Sequence, residues 1–211
     1  MNTEGESQTA CNSTDRDKDV AVQKAEVRKE MIARRKLIPE KTRLAMSELI
    51  AGQVLSLPEV INARNIHLYL SIPDQAEVST AFLVDAFAAM NKQLSVPVVR
   101  EINLFSVAYQ KGKPLKAGNF GQPEPEAMVM VDESNLDVLL MPLVAFDRKG
   151  NRIGYGKGFY DRFLQRLYRQ GIRPWCIGLA FSLQMIAKVP SDHWDEPLDG
   201  AVHEHGIMRF T

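Results

Sequence analysis

Residues 151–164 read Asn-Arg-Ile-Gly-Tyr-Gly-Lys-Gly-Phe-Tyr-Asp-Arg-Phe-Leu, with glycine at 154, 156 and 158. Glycine at every second position lets the backbone come close to a ligand and turn several N–H groups the same way. The segment follows a buried-type apolar stretch, Val138 to Met141, and opens a helix expected from about Phe159 to Arg169. A helix N-terminus adds partial positive charge, and Arg152 and Lys157 add full charges. Together these features make a cradle for an anion such as phosphate. The loop is not a Walker A motif, which needs glycine where Asn151 stands and Ser or Thr where Gly158 stands. It is not the dinucleotide fingerprint either, because Phe159 occupies the third glycine position. Asp161, in the first turn of the helix, has two readings. It is a partner for the helix dipole, or it is a magnesium ligand beside a bound nucleotide.

Other residue types exclude more than they suggest. Cys11 and Cys176 are far apart, so they form neither a disulfide framework nor a zinc spacing. His203 and His205 form an H-x-H pair, but no third ligand pairs with them convincingly. The 26 Lys+Arg balance the 26 Asp+Glu, and a net charge of zero argues against coating nucleic acid by bulk electrostatics. The balance is only global. Between Lys24 and Arg43, basic residues 24, 28, 29, 34, 35, 36, 41 and 43 face acidic residues 26, 30 and 40. The longest apolar run, Val138 to Phe146, is too short to span a membrane. The first residues hold no apolar signal segment, and a cytoplasmic location is expected.

These residues need elements to position them. Residues 1–19 are polar and are expected to form a disordered tail, with one domain over 20–211. A helix from about Val20 to Leu37 is followed by a second, opened by Pro39 and running to about Leu57. Strands are expected at Ile66–Leu70, Leu94–Val99, Leu104–Tyr109, Met128–Val131, Val138–Met141 and Trp175–Ala180, with short extended pieces near Ala201 and Met208. Ser79 or Thr80 opens a helix to about Asn91, Ser182 opens a short one, and residues 111–126 form an irregular connection. Strands alternating with helices predict an α/β fold: a single three-layer αβα domain with a mainly parallel, Rossmann-like sheet.

The run Arg152-Ile153-Gly154-Tyr155-Gly156-Lys157-Gly158-Phe159-Tyr160-Asp161 closely resembles the R-L-G-x-G-x-G-Y-Y-D pattern of the 5-formyltetrahydrofolate cyclo-ligase family. Further motifs follow the family's order. They are Lys24-x-x-x-Arg28, Leu68-Tyr69-Leu70, Glu77-Val78-Ser79-Thr80, Gly121-x-x-Glu124-Pro125, Asp137 through Pro142, Phe146-Asp147, Gly178 to Phe181, Val189-Pro190 and Leu198-Asp199. The resemblance covers nearly all of residues 21–204. Ile153 and Phe159 depart mildly from Leu and Tyr.

The resemblance implies conversion of 5-formyltetrahydrofolate and MgATP to 5,10-methenyltetrahydrofolate, ADP and phosphate. ATP would phosphorylate the formyl oxygen and N10 would then close the ring. Lys24, Arg28 and the segment Arg152 to Tyr160 would bind ATP. Leu70, Glu77 and Phe120, with Tyr155 to Phe159, would bind the folate, Glu77 taking the pterin N–H groups. Lys157, Arg152 and Tyr160 would stand at the reacting atoms, and Asp161 and Asp199 would hold Mg²⁺. The expected partners are small molecules only, with no nucleic acid and no membrane, and the chain is expected to be a monomer. Two other readings remain: an ATP-binding relative without folate activity, as in thiamine-related metabolism, and a binding module using the basic helix.

Overall fold

A computed structural model describes residues 7–210. Helix α1 (Ser7–Lys36) leads to α2 (Glu40–Leu55) and the short α3 (Pro58–Asn62). The central elements are β1 (Asn65–Leu68), α4 (Ala81–Ala89), β2 (Gln93–Arg100) and β3 (Asn103–Tyr109). A hairpin, β4 (Leu115–Ala117) and β5 (Pro123–Pro125), precedes β6 (Val138–Pro142). The chain continues through β7 (Ala145–Phe146), β8 (Arg152–Ile153), α5 (Phe159–Arg169) and β9 (Trp175–Leu179), and closes with β10 (Gly200–His203) and β11 (Gly206–Arg209).

Seven strands form one sheet in the order β11-β10-β9-β6-β1-β2-β3. The inner pairs, β10–β9, β9–β6, β6–β1 and β1–β2, are parallel, and the outer pairs are antiparallel. Side chains alternate between two buried faces, as a sheet covered on both sides requires. Ile66, Leu68, Leu140 and Ile177 pack with Ile50 and Val54 of α2 and Leu83 and Phe87 of α4. Leu139, Met141 and Cys176 pack with Phe163, Leu164 and Leu167 of α5. The three-layer α/β expectation is met.

Four local expectations are corrected. The first helix starts at Ser7 rather than near Val20. No Gly or Pro interrupts 7–36, and extending an existing helix requires no new nucleus. Residues 1–6 lie outside the described residues. The second helix stops at Leu55, and Pro58 starts a separate turn of helix. Residues 111–126 hold the β4–β5 hairpin, whose three-residue strands are too short to show a period. Met128–Val131 is not a strand, and its only ladder contact is a bridge from Met130 to Val107.

The chain leaves β1 toward β2 on one side, while β6 leads to β9 on the other. The gap beyond the C-terminal ends of β1 and β6 is therefore a topological switch point, where α/β sheets bind ligands.

Candidate active site

A cleft of about 920 Å³ opens at that switch point. Its floor is Tyr69 and Leu70 after β1 and Pro142 at the end of β6, and its walls come from α1, the glycine loop and the β4–β5 hairpin. Lys24, Arg28, Leu70, Glu77, Phe120 and every residue from Arg152 to Asp161 line it.

Asp147 builds the approach to the glycine loop. Its carboxylate accepts N–H groups from Lys149 at 2.8 Å, Asn151 at 3.1 Å and Val189 at 3.0 Å. In the loop itself, Gly156 has φ +88° and Gly158 φ +62°, which side-chain-bearing residues rarely adopt. A Cβ on Gly156 would lie 2.9 Å from Cζ of Arg28, so this glycine also makes room for the α1 arginine. A Cβ at Gly154 would meet nothing within 4 Å, which leaves that stretch open to a ligand.

The charged groups divide into free and paired. Lys157 is exposed and, among the described residues, makes no ion pair. Arg28 donates Nε to the Gly154 carbonyl at 2.8 Å and has no acidic partner among the described residues. Burial lowers its pKa. Lys24 is bonded to Asp192 at 2.7 Å and Asp195 at 2.6 Å. Burial pulls the Lys24 ammonium down, but these two carboxylates outweigh it and raise its pKa. Arg152 is buried, reaches Asp161 at 2.9 Å and also donates to the Glu196 carbonyl. Asp161 accepts the Glu196 N–H at 3.3 Å, so the 192–196 segment lies against it.

Beside the glycine loop, the cleft wall around Glu77 is more enclosed. Glu77 is 7% exposed and accepts the Tyr155 hydroxyl at 2.5 Å and the Ile72 N–H at 2.7 Å. Burial raises its pKa, against the opposing pull of those two hydrogen bonds and of Arg35. Tyr69 and Thr80 pin the neighbouring backbone, through Tyr69 Oη to the Val78 carbonyl at 2.9 Å and Thr80 Oγ1 to the Tyr69 carbonyl at 2.8 Å. Phe120 sits at the tip of the β4–β5 hairpin, its ring 5.5 Å from that of Phe159. Buried Glu124 anchors the hairpin, accepting from Arg100 at 3.1 Å and Gln122 at 2.9 Å. The buried Tyr160 hydroxyl has no partner among the described residues although its residue lines the cleft. It is an open hydrogen-bonding position for a ligand.

One expected site residue is not brought here. Asp199 does not line the cleft. It precedes β10 at the N-terminal edge of the sheet, and its carboxylate accepts the Cys176 N–H at 2.7 Å. Asp192 and Asp195 line the cleft in its place. Sequence reasoning missed both, and only their position shortly after the Val189-Pro190 motif could have pointed to them. It also missed Arg35, buried behind the cleft, and gave Trp194, which lines the cleft while 43% exposed, no role. Lys24, Arg28 and Arg35 turn inward, whereas Lys29, Arg34, Lys36 and Lys41 of the same basic stretch are exposed. No three His, Cys, Asp or Glu side chains cluster as a metal site among the described residues. No helix among them is long and apolar enough to cross a membrane.

The model of the 5-formyltetrahydrofolate cyclo-ligase family matches residues 20–204. The chain belongs to that family. It is 38% identical over 154 residues to 5-formyltetrahydrofolate cyclo-ligase of Haemophilus influenzae, covering 71% of this chain and 80% of the relative. The Escherichia coli K12 cyclo-ligase is 33% identical over 182 residues, or 84% of this chain and 97% of that one. The NMR structure of Aquifex aeolicus 5,10-methenyltetrahydrofolate synthetase superposes with a TM-score of 0.77 at 32% identity, covering 88% of this chain and 92% of that one.

Proposed function

We propose that this cyclo-ligase family member joins N10 of 5-formyltetrahydrofolate to its formyl carbon in a reaction driven by ATP, giving 5,10-methenyltetrahydrofolate, ADP and phosphate. The observation that carries the reading is the cleft itself. One cleft is lined both by the glycine loop with Lys157 and Arg28, which make no ion pair among the described residues, and by buried Glu77 and the Phe120 hairpin.

An amide-like oxygen is a poor leaving group. Transfer of the γ-phosphoryl group to the formyl oxygen makes it a phosphate, N10 attacks the activated carbon, and the C–O bond breaks as phosphate leaves. Catalysis of such a transfer is positioning and charge stabilisation. Lys157, Arg28 and the loop N–H groups hold the phosphates, and Arg152 steadies Asp161. Lys24 exchanges part of its contact with Asp192 and Asp195 for a phosphate. Glu77 accepts pterin N–H groups, and each of its oxygens keeps a lone pair beyond the bonds it already makes. Leu70, Phe120 and Phe159 enclose the ring system. The Tyr160 hydroxyl donates at the junction of the two ligands.

Magnesium suits the oxygen donors present, since a nucleotide-bound ion needs only one or two carboxylates. Asp161, with Asp195 in place of the expected Asp199, would hold it and lend charge neutralisation to the phosphates. The unit from residue 20 to 211 acts as one catalytic domain, working as a monomer on small molecules in the cytoplasm.

The test is to mix protein, 5-formyltetrahydrofolate and MgATP and follow methenyl-folate absorbance. ATP-dependent growth of that band is expected. Folded protein that binds ATP without forming the band would move the reading to an ATP-binding relative.

A further inference from the structure

Arg35 is a 2%-exposed arginine on α1 that touches no carboxylate among the described residues. Its guanidinium donates to the carbonyls of Leu143 at 3.2 Å and Gln75 at 2.6 Å and to the Tyr155 hydroxyl at 2.7 Å, while Nε has no partner among the described residues. Burying a charge this way costs stability, and an apolar side chain of similar size often serves structure equally well. The position therefore calls for an explanation other than packing. Tyr155 supplies it: having accepted from Arg35, its hydroxyl donates to Glu77 at 2.5 Å, and Glu77 faces the cleft. The chain of bonds runs from a fixed cation on α1, through one hydroxyl of the glycine loop, to the carboxylate assigned to the pterin.

We propose that Arg35 is a positioning residue for folate recognition, acting through Tyr155 to hold the Glu77 carboxylate in the orientation in which it meets the pterin. The inference rests on the cyclo-ligase reading above. It also ties the two ligand sites, because Tyr155 belongs to the loop that cradles the phosphates. The ionisable groups around Glu77 are Tyr69 beyond β1, Tyr155 of the loop, Tyr160 of α5 and Arg35 of α1. Of these only Arg35 carries positive charge, and it works against the burial that raises the Glu77 pKa. Losing Arg35 would let Glu77 take up a proton at higher pH.

The experiment compares wild type, Arg35→Met, Tyr155→Phe and the double variant in steady-state kinetics across pH. Each single variant is expected to raise the KM for 5-formyltetrahydrofolate about tenfold, with the KM for ATP within about twofold of wild type. The acidic limb of kcat/KM for folate should move to higher pH. The double variant should be no worse than the worse single variant, because both break one relay. Unchanged folate KM and pH limb, equal losses for ATP and folate, or multiplying losses in the double variant would overturn the inference. If Arg35→Met does not fold, Tyr155→Phe alone decides by the same criteria. Wild-type turnover tests the underlying reading separately. If it is absent, equilibrium binding of 5-formyltetrahydrofolate across pH replaces kinetics, and a wild type that does not bind overturns both.

Discussion

At the proposed folate end of the cleft, Glu77, Tyr155 and Arg35 are enclosed and bonded to one another; at the proposed nucleotide end, Lys157 stands exposed and Lys24 rests on Asp192 and Asp195. Under the proposed function, the contrast follows from what each end would receive. A pterin is a nearly neutral ring whose N–H groups must be matched in place, so its carboxylate is fixed in advance. A triphosphate brings its own charge, so cations can wait in solvent or on provisional partners until it arrives. The enclosed end loses specificity when one bond is cut, and the open end loses rate when one charge is removed.

The largest expected effect separates the ends most sharply. Lys157→Ala should lower kcat by about 10²–10³, the scale for removing a group that stabilises transition-state charge, with the thermal midpoint unchanged because Lys157 is exposed and makes no ion pair among the described residues. A fall in stability would show that the loop is not the open end described. Next, Glu77→Gln should lower kcat/KM for folate by about 10- to 100-fold while sparing the KM for ATP. Equal effects on both substrates would erase the division. Asp161→Asn and Asp195→Asn should each raise the magnesium concentration for half-maximal rate about tenfold. Asp199→Asn should leave that titration alone and instead cost about 1 kcal/mol of stability through the weakened Cys176 N–H bond, read by denaturant melts. The smallest effect is expected at Phe120→Ala. Its half-exposed ring closes the folate end from the hairpin, and its loss should raise the folate KM only severalfold.

Much of this arrangement was legible in the residues, and the misses have physical reasons. Continuous apolar runs such as Val138–Met141 announced the sheet, and the glycine spacing with Arg152 and Lys157 marked a loop that lines the cleft. Asp199 was misplaced because spacing along an irregular segment does not say which side of a sheet a carboxylate reaches. Only three residues separate Asp195, in the cleft, from Asp199, at the far edge of the sheet. Arg35 looked like one more cation on a charged helix, and only packing shows that it faces inward. The hairpin carrying Phe120 has strands too short for a period of two to emerge, and it is held by buried Glu124 rather than by propensity.

In the proposed reaction the division of labour has one meeting point, the formyl oxygen, which would pass from the ligand at the enclosed end to the phosphate released at the open end. Substrate carrying ¹⁸O in the formyl group tests this directly, with the released phosphate analysed by mass spectrometry after a single turnover. The account predicts one labelled oxygen in each phosphate. Label recovered in water, with unlabelled phosphate, would contradict it.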